Sequence, residues 1–104
     1  MLNSKQRTFL RSLAHSYEPV VMVGKGGADS VIKSADDALT ARELIKCRAL
    51  EACPTTARET AETVARAARA EVVLVIGRCF VLYRPNAQFR KDTDSVSYRL
   101  KKMS

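Results

Sequence analysis

The sequence predicts an α/β fold in which three helices pack on a four-stranded mixed sheet. Three observations carry that prediction. Apolar residues alternate between helical and strand spacing along the chain, in the order helix, strand, helix, strand, helix, strand, strand. The last two strands, Val72–Ile76 and Cys79–Tyr83, are separated only by Gly77-Arg78, a two-residue link with glycine first that suits a tight hairpin of type II′. A length of 104 residues with 46% hydrophobic content supports one modest core and not two.

Each element has a local reason. Asn3 or Ser4 can cap a first helix reaching about Ala14, with Phe9, Leu10 and Leu13 as its apolar stripe and Arg7 and Arg11 one turn apart on the other side. Pro19 closes the connection to a first strand at Val20–Val23, which breaks into Gly24-Lys25-Gly26-Gly27. Asp29-Ser30 offers an N-cap to a second helix ending near Ala41, with Val31, Ile32, Ala35 and Leu39 at helical spacing and Lys33–Asp37 as a surface i,i+4 pair. Glu43–Leu50 alternates: Ile45, Cys47 and Ala49 point one way, Lys46 and Arg48 the other. Thr56 and Glu59 have capping-box spacing ahead of a third helix, whose Ala57, Ala61, Val64, Ala65 and Ala68 form a narrow face for close packing. The folded body is expected to span residues 1–86. Residues 87–104 are polar and weakly periodic and read as a basic, mobile or partly ordered tail.

Composition excludes several classes. No apolar run approaches the roughly 18–20 residues a membrane span needs, and Met1–Arg7 is polar and basic with no apolar segment behind it. A cytoplasmic address is the expectation, with no membrane partner. Cys47, Cys53 and Cys79 include no C-x-x-C, and His15 is distant from them, so a zinc site would need an unusual ligand set. The thiols read as reduced and mostly buried, and neither metal nor cofactor is expected. His15 follows a helix end with only Glu18 nearby and reads as a helix cap or core-edge residue; no nucleophile with its own base is visible, so no catalytic residue is assigned.

The net charge is +7, and the tail is more densely positive than the body: residues 1–86 carry thirteen basic and nine acidic side chains, residues 87–104 five and two. Such a balance suits nucleic acid, although membrane surfaces and acidic proteins attract it too. The glycine loop sharpens the reading. A P-loop would need lysine followed by Ser or Thr, and here Gly26 follows Lys25; G-x-G-x-x-G fails because Asp29 stands three residues after Gly26. What fits is G-x-x-G, the loop with which KH-type domains clamp a nucleic-acid backbone. Glycine permits close approach of phosphates, and Lys25 adds charge. On these four residues alone a ligand-free turn explains the pattern equally well; the net charge and the basic strand face favour a binding role. Lys46 and Arg48, then Arg78 and Arg84 around the hairpin, extend the basic set, though solvated surface charge is the ordinary explanation for any one of them. Tyr83 could stack on a base, but a tyrosine closing an apolar strand is more often core with its hydroxyl at the rim.

Leu13-Ala14-His15, Pro19-Val20-Val21, Gly24-Lys25-Gly26-Gly27, Ala38-Leu39, Glu43-Leu44-Ile45-Lys46, Ile76-Gly77 and Leu82-Tyr83-Arg84-Pro85 follow one another at the spacing of the CRM (chloroplast RNA splicing and ribosome maturation) domain. The chain resembles the stand-alone bacterial form of that family, the YhbY-like proteins, from about Ser4 to Pro85. The resemblance implies a two-layer α/β sandwich of order α-β-α-β-α-β-β with sheet order 1-2-4-3, similar to the C-terminal domain of translation initiation factor three. It also implies binding of ribosomal RNA in precursors of the large ribosomal subunit, through the G-x-x-G loop and adjacent basic surface. Lys46 and Arg84 belong to the family's motifs. The chain departs from the pattern at Ala28-Asp29-Ser30, where Asp29 puts an acid beside the phosphate site, and at Cys47 and Cys79, where aliphatic residues are usual. The tail lies outside the resemblance.

The expected RNA-binding set is therefore Gly24, Lys25, Gly26, Gly27, Lys46, Arg48, Arg78, Arg84, Arg7 and Arg11, in a non-enzymatic monomer that assists ribosome assembly. The alternative is a protein-binding adaptor whose basic face docks an acidic partner; a nucleotide-handling enzyme is the weakest reading.

Overall fold

The sheet of the computed structural model is built from β1 (Val21–Val23), β2 (Leu44–Ala49), β3 (Glu71–Ile76) and β4 (Cys79–Tyr83), in the spatial order β1-β2-β4-β3. Four helices accompany it among the described residues, which are 2–86 and 96–101: α1 (Ser4–Ala14), α2 (Ile32–Arg42), α3 (Ala57–Ala68) and α4 (Val96–Lys101). β1 and β2 are parallel, as a helical crossover through α2 requires, whereas β2–β4 and β3–β4 are antiparallel. The hairpin between β3 and β4 turns at Gly77, with φ of 57°, while Arg78 stays outside the positive-φ region, the type II′ pattern.

Strand alternation sorts the core onto two faces. Val21, Val23, Ile45, Cys47, Phe80 and Leu82 pack against Ala35 and Leu39 of α2 and against Ala61, Val64, Ala65 and Ala68 of α3. Leu44, Val73, Val81 and Tyr83 point to the opposite face and meet Leu10 and Ala14 of α1. The two-layer arrangement thus describes α2 and α3 on the sheet, and α1 adds a partial third layer behind it. A bulge in β3 serves that layer: Val72 pairs with Leu82 and Leu74 with Val81, so the extra residue Val73 turns, like Leu74, toward α1.

The helix starts show which side chains do the capping. Asn3 accepts from the Gln6 backbone N–H at 2.8 Å while the Gln6 side chain accepts from the Asn3 N–H at 2.9 Å, a full capping box. Thr56 and Glu59 form the second box, at 3.1 and 3.2 Å. The expected Asp29-Ser30 cap does not form. A short 3-10 helix, Ala28–Val31, precedes α2, and the Ser30 hydroxyl donates backward to the Gly27 carbonyl at 2.7 Å instead of accepting from a helix N–H.

Part of the segment read as a tail is structured. α4 buries Val96 and Leu100 beside Leu10 and Tyr83, and the Arg99 guanidinium lies 5.1 Å from the Phe9 ring centre. Two apolar residues one turn apart in a six-residue helix leave too short a pattern for periodicity to reveal.

Candidate nucleic-acid interface

Three connections share one end of the sheet. The Leu50 N–H donates to the Val23 carbonyl at 2.8 Å, and the Ala49 N–H donates to the Arg78 carbonyl at 2.8 Å. The glycine loop after β1, the turn after β2 and the β3–β4 hairpin therefore lie side by side. Within the loop, the Gly27 N–H donates to the Gly24 carbonyl at 3.0 Å, closing a four-residue turn that leaves Lys25 and Gly26 exposed at its tip.

The glycines of this turn have different physical reasons. Gly27 has φ of 73° and ψ of −169°, a region open essentially only to glycine, and it is buried with Pro54 3.4 Å from where a Cβ would stand. A Cβ on Gly26 would fall 2.9 Å from Ser30. Gly24 would meet only Leu50, at 4.0 Å. Gly27 therefore shapes the loop from beneath, with its N–H committed inside the turn, and the surface available to a ligand is Gly24, Lys25 and Gly26. Asp29 is exposed at the edge of this surface and caps nothing.

Of the expected basic residues, Arg48 and Arg78 are exposed at the same end as Lys25. Lys46, half-buried, shares the α1 side of the sheet with Arg48. A recess between the end of α1 and the sheet brings Arg11, His15 and Lys46 together beside Ile76 and Cys79. His15 itself is the C-cap residue of α1, its N–H donating to the Arg11 carbonyl at 3.2 Å.

Arg84 and Arg7 do not join this group. Arg84 follows the far end of β4, six residues beyond Arg78, which at strand rise is about 20 Å away. Its guanidinium is already engaged: Nη1 donates to Asp36 Oδ1 at 2.5 Å and to the Ala68 carbonyl at 2.7 Å, and Nη2 donates to the Asp36 carbonyl at 3.0 Å and to Thr40 Oγ1 at 2.7 Å. Arg7 donates to the Val72 carbonyl at 3.1 Å and pairs with Glu71 at 3.4 Å, also at the far end. Both therefore stand apart from the loop end, with one cause: each cation meets internal acceptors that sequence distance conceals.

Tyr83 is a core residue. Burial first, then the Glu43 and Glu71 carboxylates, pushes its hydroxyl up to about 12, and it is closed to a base. Burial, with a smaller contribution from Cys79, pushes the Cys47 thiol up to about 12 as well, which leaves it inert. At Cys53, in the turn under the glycine loop, burial acts upward but is outweighed by hydrogen bonding with the Thr55 backbone and with the Thr60 and Thr55 side chains, so this thiol is lowered.

Residue-by-residue reading of charge missed two apolar members of the surface. Met22 and Ile76 are 49% and 60% exposed on the α1 side of the outer strands. Only strand order shows that both flank Arg48 and Cys79.

Comparison with known proteins places this architecture. The family model for the CRS1/YhbY (CRM) domain matches residues 2–84. The chain is 43% identical over 89 residues to the "Probable RNA-binding protein YqeI" of Bacillus subtilis, covering 85% of this chain and 93% of that one. It is 38% identical over 88 residues to an "RNA-binding protein" of Haemophilus influenzae, covering 84% and 89%. Among solved structures it matches the hypothetical protein SAV1595 of Staphylococcus aureus, described as an RNA-binding candidate, with a TM-score of 0.67, 43% identity and coverage of 83% and 91%. By sequence and by fold, the chain belongs to the CRS1/YhbY (CRM) domain family.

Proposed function

We propose that this protein binds RNA without catalysing a reaction, and that the RNA is ribosomal, in precursors of the large subunit. One observation carries the RNA reading: a glycine turn tipped by Lys25 stands at the same sheet end as Arg48 and Arg78, in a chain of net charge +7. The relatives named as RNA-binding proteins support it. Gly24 and Gly26 let phosphates approach the turn, where Lys25 supplies the charge. Arg48, Arg78, Lys46 and Arg11 extend the positive field along the sheet. Five such cations on single-stranded RNA correspond to a log–log salt slope of roughly −3 to −4.

The ribosomal part of the reading rests on the family's character and is tested in a lysate. Sedimentation at low salt, followed by crosslink mapping, is expected to find the protein in the large-subunit precursor fraction, bound to its RNA and released as salt rises. Recovery only at the top of the gradient would reject the ribosomal assignment.

A further inference from the structure

The α1 side of the sheet carries a line of four side chains, one from each strand. Register pairs Met22 with Arg48, Arg48 with Cys79, and Cys79 with Ile76. Their neighbours Val21, Val23, Cys47, Phe80 and Val75 pack toward α2 and α3, so alternation turns this line to the opposite face. There α1 buries Leu44, Val81 and Tyr83 but leaves the line open: Arg48, Met22 and Ile76 are all exposed. The resulting strip is about 14 Å across four strands, with an aliphatic side chain at each edge and a guanidinium between them.

Charge complementarity narrows what could cover it. Arg11 and Lys46 border the strip on the α1 side, and Lys25 and Arg78 stand at its loop end. The carboxylate that β3 contributes to this face, Glu71, lies at the far end of the strand and is paired with Arg7. Phosphate alone satisfies the cations but gains nothing from Met22 or Ile76. An acidic peptide would satisfy the cations too, yet it offers few flat apolar faces. Unpaired RNA offers both, a negative backbone and exposed base rings. An Arg guanidinium stacks on such rings, and a methionine sulfur makes favourable contact with them.

We infer that the line Met22–Arg48–Cys79–Ile76 is a platform for two or three unpaired bases of a single-stranded RNA, whose phosphates run past Lys25 and Arg78. This rests on the RNA-binding reading and adds to it the class of RNA. A duplex keeps its base faces stacked inside and can use only the cations.

The test uses the full chain and three probes: a short unpaired RNA, an abasic oligonucleotide of the same length, and a duplex of the same sequence. Met22→Thr/Ile76→Thr changes exposed positions to a β-branched residue, and an unchanged melting temperature verifies its fold. The double variant is expected to bind the unpaired RNA about tenfold more weakly. Its binding to the abasic and duplex probes, and its salt slope, should stay as in the wild type because no cation is lost. Ile76→Phe should tighten binding of the unpaired RNA alone, by about threefold. Wild-type affinity of the double variant for unpaired RNA would overturn the platform and leave a protein as the occupant of the strip. Equal wild-type affinity for all three probes would overturn it while leaving RNA binding intact. Binding to none of them at low salt would remove the RNA reading, and the platform with it.

Discussion

Arg84 and Asp36 meet at 2.5 Å, joining residues that stand forty-eight positions apart in the sequence. The same guanidinium reaches the Ala68 carbonyl in the last turn of α3, so one planar fork ties the end of β4 to α2 and α3 together. A residue that reads as part of a basic surface is a clamp at the end of the sheet farthest from the glycine loop.

Arg84→Ala is expected to lose about 2 kcal/mol of stability, since Asp36 and Thr40 of α2 and the Ala68 carbonyl ending α3 are left without a charged donor. The effect stays below that of a fully buried pair because the Asp36 side chain is 52% exposed. Arg84→Lys should recover less than half, lacking the fork. Urea unfolding checks both, and the salt slope of RNA binding should not move. Full stability combined with weakened RNA binding would return Arg84 to the binding surface.

The two ends of the glycine turn should respond differently to alanine. Gly27→Ala forces a Cβ into a conformation essentially reserved for glycine, at a cost of about 1–3 kcal/mol, and lowers the melting temperature. Gly24→Ala meets only Leu50 at 4.0 Å and should melt like the wild type, yet bind RNA severalfold more weakly if phosphates approach there. Calorimetry paired with a binding titration separates the two effects.

Stability should fall in alkali from about pH 9. Cys47 and Tyr83 are both raised to about 12 in the folded chain, from ordinary values of 9.0 and 10.0. A raised group contributes stability that is fully present below its unfolded value and is lost as pH climbs toward its folded value. Of these two groups, Cys47 alone ionises preferentially on unfolding between pH 9 and 10, and Tyr83 joins it above pH 10, each contributing a slope on the order of 1 kcal/mol per pH unit. Cys47→Val removes the first limb and moves the onset to about pH 10; urea midpoints across this range read it directly.

α4 should contribute to the stability of the domain. Leu100 is 5% exposed against the α1 core, so Leu100→Ala is expected to cost about 2 kcal/mol. Urea unfolding of the full chain measures it, and a midpoint equal to the wild type would detach α4 from the core.

Local chemistry made much of this fold legible in the sequence. The Thr56–Glu59 box and a first-helix cap at Asn3 or Ser4, which the structure resolves to Asn3, act between neighbours, the alternation of Ile45, Cys47 and Ala49 reads directly as one buried face, and Gly77-Arg78 marks its own hairpin. The second helix start misled because Ser30 can serve either a helix N–H or a loop carbonyl, and only the path of Gly27 decides which. The geometry of the candidate surface was legible where it is local, at the turn Gly24–Gly27. It was not where cations find distant acceptors, as Arg7 and Arg84 do, or where register alone assembles neighbours, as at Met22, Arg48 and Ile76.

The most direct measurement is the salt dependence of binding between a short unpaired RNA and the full chain, wild type beside Lys25→Glu. The expected wild-type slope of log K against log salt is roughly −3 to −4. Lys25→Glu, exposed at the loop tip, should melt at the same temperature, bind at least about tenfold more weakly at low salt and show a shallower slope. A wild-type slope near zero, or equal binding by Lys25→Glu, would contradict an RNA contact made through this loop.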